Sequence, residues 1–234
     1  MAKESPYRYG TPNWEMLGRW LRLPPEDDGP FWALNLMKYR DVADYGDAGT
    51  AEPRSGRDAD DDYAPLGPLA AVGAMVAFHG DVVAQPLGAP RWDRVGIVRY
   101  PTRAAFFAMQ QRDDFKRQHV HKEAGMEFTI VMSCLPASFD TSPPGAGLLT
   151  LTVARGAAPD AAGRALLTFD VEGVIVGDER SFDIATFDRA TDDDAVAALA
   201  RSFETSSDEA HVVVVKPTID KLAESFDTAP ATGN

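Results

Sequence analysis

RWDRVGIVRYPTRAAFFAM, residues 91 to 109, reads as a strand that runs straight into a capped helix. Val95, Ile97 and Val98 are β-branched and favour extended backbone, and Pro101 keeps Tyr100 out of the α region. The Thr102 hydroxyl is placed to accept from an unpaired first-turn amide, and Ala104, Ala105, Phe106, Phe107 and Met109 supply helix formers and an apolar face. An imperfect copy, SFDIATFDRATDDDAVAALARSF, follows at residues 181 to 203. There Phe182-Asp183 answers Trp92-Asp93 and Thr191 answers Thr102, with a one-residue difference in spacing. Two related halves are therefore expected.

The elements on either side complete a unit around each copy. FWALNLMKYR, residues 31 to 40, is apolar at almost every position and predicts a strand buried on both faces, with Asn35 as the polar exception. A short helix is expected over Tyr63 to Val72, a second strand over residues 74 to 85, a hairpin loop over Pro86 to Pro90, and a further helical piece ending at Gly125. MEFTIVMSCL, residues 126 to 135, is the fourth strand. The order β-α-β-β-α-β is that of a ferredoxin-like unit. LLTLTVA, a helix from Pro159 to Leu167, VEGVIVGD, SFDIATFD, a helix from Asp192 to Phe203 and HVVVVKP repeat it.

The expected organisation is an N-terminal helical arm over 1–29, a first half over 30–135, a linker over 136–146, a degenerate second half over 147–220 and a flexible tail over 221–234. In the arm, Asn13 caps a helix on which Trp14, Leu17, Trp20 and Leu21 recur and pack on the body. Residues 44 to 62 read as a mobile surface loop, whose Asp58, Asp60, Asp61 and Asp62 are a solvated charge run rather than a metal site. Helices cover one face of such a sheet, yet these strands are apolar on both. The uncovered faces should pack on each other within the chain. The fold class is thus α+β, a tandem ferredoxin-like (βαββαβ)2 chain forming an intramolecular α+β barrel.

With 44% hydrophobic and 25% charged residues in 234, the chain has enough apolar material for a sizeable core. A formal charge of −13 opposes nucleic acid and anionic membrane surfaces alike. Cys134 stands alone, so no internal disulfide forms, and no run approaches the eighteen apolar residues of a membrane span. Its start has no apolar signal region, and a cytoplasmic protein with a small-molecule partner is expected.

The series ALNLMKYR, AFHGDV, WDRVGIVRYPTRAAFFAM and His121-Lys122 resembles the domain-of-unknown-function family 1330, over roughly residues 30 to 135. The resemblance implies the dimeric α+β barrel superfamily. Members usually pair as separate chains, so this chain is similar to a fused pseudo-dimer, and whether it also forms a homodimer stays open. No single reaction comes with the resemblance, because the superfamily includes cofactor-free oxygenases, isomerases, haem enzymes and plain binders.

If Asn35 points into the barrel, alternation places Met37 and Tyr39 with it, His79 with Met75, Ala77 and Asp81, and Arg94 with Trp92, Val98 and Tyr100. Asn35, His79, Arg94 and Tyr100 then converge on the cavity. His79 would be a catalytic base, with Asn35 or Arg94 holding developing negative charge on an oxyanionic or enolisable ligand. On the other reading His79 and Asn35 are hydrogen-bonded core residues and Arg94 pairs with Asp81 or Asp93. His119 and His121 point too far apart on a helix to share a metal. The family resemblance implies an anion-contacting or structural role for His121. His211 reads as a surface histidine and Cys134 as a buried inert thiol. Because histidine and arginine positions concentrate in the first half, the pocket is expected there. The leading function is a small-molecule binder acting as a cofactor-independent oxygenase or isomerase. The alternatives are a non-catalytic binding or assembly protein with a packed interior and a haem-binding barrel.

Overall fold

The computed structural model describes residues 7–46, 52–140, 147–156, 165–189, 193–202 and 209–227. A two-residue strand β1 (Thr11–Pro12) leads into helix α1 (Trp14–Trp20), where the Asn13 Oδ1 accepts from the Met16 amide at 3.0 Å. Then follow β2 (Phe31–Tyr39), α2 (Gly56–Asp62), α3 (Leu66–Ala71), β3 (Met75–Leu87), β4 (Arg94–Tyr100), α4 (Arg103–Gln111), α5 (Asp113–Gly125) and β5 (Met126–Phe139). Beyond lie β6 (Leu149–Ala154), β7 (Leu167–Gly177), β8 (Ile184–Arg189), α6 (Asp193–Ser202), β9 (Ala210–Asp220) and α7 (Leu222–Asp227). The Thr102 hydroxyl caps α4 as its sequence predicts, accepting from Ala105 at 3.0 Å. The expected helix over Pro159 to Leu167 falls largely outside the described residues, as do Thr191, Asp192 and Phe203.

Every strand pair is antiparallel. The strand order is β5-β2-β4-β3 in the first half and β9-β6-β8-β7 in the second, with β3 paired to β9 and β5 to β7. These pairings close an eight-stranded barrel, and β1 adds to β7. The halves therefore join edge to edge rather than face to face. Face-to-face packing would leave the backbone donors and acceptors of four edges unpaired, whereas closure removes every edge of the eight.

Alternate residues from all eight strands, among them Leu34, Ile97, Met132, Leu151, Phe187 and Val213, form one cluster that fills the interior. The opposite set, including Phe31, Ala33, Met37 and Tyr100, packs under helix residues Leu69, Met109 and Phe115 and the arm residues Tyr9, Met16 and Trp20. On α1 the buried positions are Met16 and Trp20, while Trp14 and Leu21 of the expected stripe are exposed. Among the described residues no helix is long and apolar enough to cross a membrane.

The described parts of two segments read as mobile form helices, held by caps and by contacts with residues far along the chain. Residues 56–62 form a helix because the Ser55 hydroxyl accepts from the Asp58 amide at 3.1 Å, and because Gly56 lets α2 touch α5. A Cβ at Gly56 would lie 2.3 Å from the Gly125 carbonyl oxygen. Residues 222–227 form α7, where Phe226 stacks on Trp32 at 4.9 Å and on Phe139 at 4.4 Å, and the Ser225 hydroxyl accepts from the Trp32 indole at 2.9 Å.

The two copies of the aromatic-aspartate pair occupy matching places. Asp93 donates its amide to Met37 and accepts from Val82, at 2.8 and 3.0 Å, and Asp183 makes the same pair of bonds with Ala154 and Val171, both at 2.9 Å. Trp92 and Phe182 both belong to the interior cluster, and their rings flank His211 at 5.6 and 5.5 Å. His211 is thus a core residue, 1% exposed, and not the surface histidine expected. Its strand lies between β3 and β6, where a sequence run of four valines gives no sign of which neighbour covers its end.

A second network, centred on buried Arg103, ties the arm to both halves. Arg103 is buried and donates to the Glu172 carboxylate at 2.8 Å and to the Gly29 carbonyl at 3.1 Å. Glu172 also accepts from Ser133 at 2.8 Å and from the Trp20 indole at 3.1 Å. Glu172 reaches solvent and stays hydrated when its partner is removed, so Arg103→Met is expected to cost about 1–3 kcal/mol in urea unfolding, mainly through lost charge-assisted hydrogen bonds. For His211, burial and the nearby Arg180 push the imidazole from 6.5 down to about 4. The unfolded chain therefore takes up the proton first, and the stability that depends on neutral His211 is whole above pH 6.5 and lost as pH falls toward 4. That loss amounts to about 3 kcal/mol. The gap in unfolding free energy between wild type and His211→Gln should narrow across the same window.

Candidate functional site

The floor of the site is a row of side chains crossing five strands. Val131 of β5 pairs with Asn35 of β2, Asn35 with Gly96 of β4, Gly96 with His79 of β3, and His79 with Ile219 of β9. Gly96 carries no side chain, and the Met37 methyl group reaches toward it between Asn35 and His79. A Cβ there would meet Met37 Cε at 3.2 Å and His79 Cδ2 at 3.9 Å. A cavity of about 300 Å3 stands on this row. Asp60 and Tyr63 beside α3, Phe106 and Met109 of α4, Phe115, His119 and Lys122 of α5, and Tyr7 and Tyr9 of the arm wall it.

This cavity lies on the helix-covered face, not inside the barrel. Leu34 and Leu36 take the interior positions of β2, which turns Asn35 outward. A strand apolar on both faces offers no pattern from which to choose, which is why the expected facing of Asn35 is reversed. On β3 a bulge between Val76 and Phe78 shifts the alternation, so Val76 and His79 both line the cavity while Ala77 and Phe78 join the interior cluster. Ala77 does not share a face with His79. Trp92 precedes β4 and belongs to the interior, so it does not share a face with Arg94 either.

Asn35, His79, Arg94 and Tyr100 nevertheless all line the one cavity. Asn35 donates its amide to the Ala33 carbonyl at 3.0 Å. The Tyr100 hydroxyl donates to Met109 Sδ at 3.3 Å, and burial raises its pKa. Arg94 meets three carboxylates, Asp61 at 2.7 Å, Asp81 at 3.1 Å and Asp60 at 3.4 Å. Burial works against its charge, but these acids and Tyr39 outweigh it and hold the guanidinium firmly protonated. Tyr39 completes the cluster by donating to Asp60 at 2.6 Å. Asp60 and Asp61 are therefore partners of Arg94 rather than a solvated charge run.

His79 carries no ion pair among the described residues; its Nδ1 lies 2.8 Å from the Thr218 hydroxyl. Burial lowers its pKa below 6.5 and Arg94 lowers it further, against the pull of Asp60, Asp81 and Asp61. It is neutral at pH 7 and able to accept a proton. His121 lies outside the cavity lining, and its Nδ1 meets the Tyr45 hydroxyl at 2.8 Å. Its neighbours on α5 do the lining instead. His119 Nε2 sits 3.1 Å from the Tyr9 hydroxyl and 3.5 Å from Glu123. The Lys122 ammonium lies 5.5 and 5.4 Å from the centres of the Tyr9 and Tyr63 rings, and burial lowers its pKa against the pull of Asp60 and Glu123. Phe115, His119 and Lys122 are spaced four and three residues apart, so the helical period in DDFKRQHVHKEAG marks them as one face.

No family model matches this chain, and no curated protein matches it. Among the solved structures similar to this chain are the following three. RPA0582 of Rhodopseudomonas palustris, a protein of unknown function, is 23% identical over 54% of this chain and 95% of that one, with a TM-score of 0.45. A methylated RPA0582 is 25% identical over 57% and 96%, at 0.44. A mutant chlorite dismutase from Candidatus Nitrospira defluvii is 10% identical over 90% and 97%, also at 0.44.

The floor at Gly96 supplies its own test. Phenol added to the wild type should give a binding signal in ligand-observed NMR, and Gly96→Val, which crowds the Met37 methyl group and narrows the cavity, should weaken it. Strand pairing should survive, since a β-branched residue suits an extended strand.

Proposed function

We propose that the chain binds a small, mostly apolar molecule bearing an enolisable carbon and an oxyanion, and that His79 takes a proton from it. The observation that carries this reading is a neutral histidine on the floor of an aromatic-walled cavity, beside the side-chain-free Gly96. Aromatic walls favour a flat apolar body, and Lys122 supplies positive charge with no ion pair among the described residues, whereas the charge of Arg94 is already met by Asp60, Asp61 and Asp81. Arg94 accordingly organises the wall, and Lys122 takes the anion-holding part.

In the step proposed, the C–H bond breaks, its proton passes to His79 Nε2, and its electron pair moves to the carbonyl oxygen as an enolate. Lys122 offsets that negative charge. Return of the proton to a different carbon completes an isomerisation with no co-reactant, while an oxygenase would need dioxygen to accept the electrons. The isomerase reading is the simpler chemistry of the two.

The strand orders β5-β2-β4-β3 and β9-β6-β8-β7 support reading the barrel as two ferredoxin-like units in tandem, residues 30–135 and a degenerate 147–220. The motifs ALNLMKYR and WDRVGIVRYPTRAAFFAM, on β2 and on β4 with α4, support kinship with the domain-of-unknown-function family 1330. A non-catalytic binder is the second reading, and the packed barrel interior favours it to the extent that stability needs no ligand.

Phenylpyruvate is a suitable probe because it joins an aryl ring, an enolisable carbon and a carboxylate. The wild type should speed its enol–keto interconversion above the buffer rate, with an acid limb centred below pH 6.5, the side to which His79 is shifted. His79→Gln should remove about 99% of that rate, on the order of the hundredfold that a general base contributes, with little change in unfolding midpoint. Binding without turnover in the wild type would favour the second reading, and a Soret band on adding haemin would favour the haem-binding one.

A further inference from the structure

His79 is held from the other half of the chain. Across the β3–β9 seam His79 pairs with Ile219 and Gly80 with Pro217, so Thr218 is the extra residue of a bulge. Bulges re-aim side chains, and this one turns Thr218 onto His79. Gly80 is what lets the strands meet so closely, since a Cβ there would lie 2.6 Å from Val215 Cγ1 and 2.8 Å from the Lys216 carbonyl oxygen.

Two contacts join the pair. The Thr218 Oγ1 lies 3.0 Å from the His79 carbonyl oxygen and 2.8 Å from His79 Nδ1. A carbonyl oxygen accepts and never donates, and a threonine hydroxyl has one proton to give. That proton goes to the carbonyl. Toward Nδ1 the hydroxyl can then only accept, so the one assignment that satisfies both contacts puts the ring proton on Nδ1.

We infer that Thr218 is a positioning residue that fixes His79 in its Nδ1–H tautomer and leaves Nε2 as the unprotonated nitrogen. The inference rests on the proposed role of His79 for its significance, but the tautomer itself is a property of the resting protein. It also gives the second half a part in a site whose cavity-lining histidines, His79 and His119, lie in the first half. A lone first half would keep His79 and lose the group that orients it.

The test is the tautomer, read by 15N-detected imidazole NMR of the full chain at pH 8, where the ring is neutral. Wild type should show a pyrrole-type Nδ1 and a pyridine-type Nε2 for His79. In Thr218→Val, which keeps the shape and removes the hydroxyl, the two resonances should exchange types. Thr218→Ser should restore the wild-type pattern. Identical His79 tautomers in wild type and Thr218→Val overturn the inference, as does an Nε2–H tautomer in the wild type. Loss of phenylpyruvate turnover plays no part in this readout. A chain that shows the tautomer switch but no turnover would refute the base role of His79 and leave the hold by Thr218 standing.

Discussion

The closure of the barrel by β3–β9 and β5–β7 is the constraint from which the rest follows. An edge strand of a four-stranded sheet presents a row of unpaired amides and carbonyls, and each half has two such edges. Joining them within one chain satisfies both at once and encloses a lumen. Apolar side chains from all eight strands fill that lumen, with His211 as a buried polar exception between Trp92 and Phe182. Every polar residue of the sheet that is to meet a ligand must therefore face outward. In the first half it then lies beneath α2 to α5, where a cavity can be walled without disturbing the core.

That outer cavity is held together by charge as much as by packing. Arg94 would be costly to bury alone, and the acidic run that ends α2 supplies two of its three carboxylates. The same contacts draw α2 onto the sheet, which is how residues without an apolar stripe come to form an ordered wall. Lys122 stands in a different environment. Its surroundings are tyrosine rings, which attract a cation weakly and desolvate it strongly, so it keeps a capacity for ligand charge that Arg94 has spent.

The two halves share backbone geometry but divide their roles. Asp93 and Asp183 make the same hydrogen bonds at matching corners, and Trp92 and Phe182 meet around one histidine in the interior. The outer faces differ. Over the second half, Val196 and Ala200 of α6 close directly on Val212 and Val214 of β9, where the first half has its cavity. One outer face packs tightly while the other stays open, and a strand from the packed side brings Thr218 to the open one.

Local signals in the chain determined the elements and their order. β-branched runs, prolines, Asn13 and Thr102 mark where strands and helices begin, because propensity and capping act within a few residues. The grouping of Asn35, His79 and Arg94 was also legible, since they sit near one level of neighbouring strands, with Tyr100 reaching the same cavity from farther along β4. Which face they occupy was not. β2 is apolar on both sides, and the bulge at Val76–Phe78 shifts the alternation that would have told them apart. The order of α2 and α7, the burial of His211 and the hold of Thr218 on His79 likewise depend on partners far along the chain. Those partners are set by which strand edges meet, a choice that backbone hydrogen bonding makes only when the barrel closes.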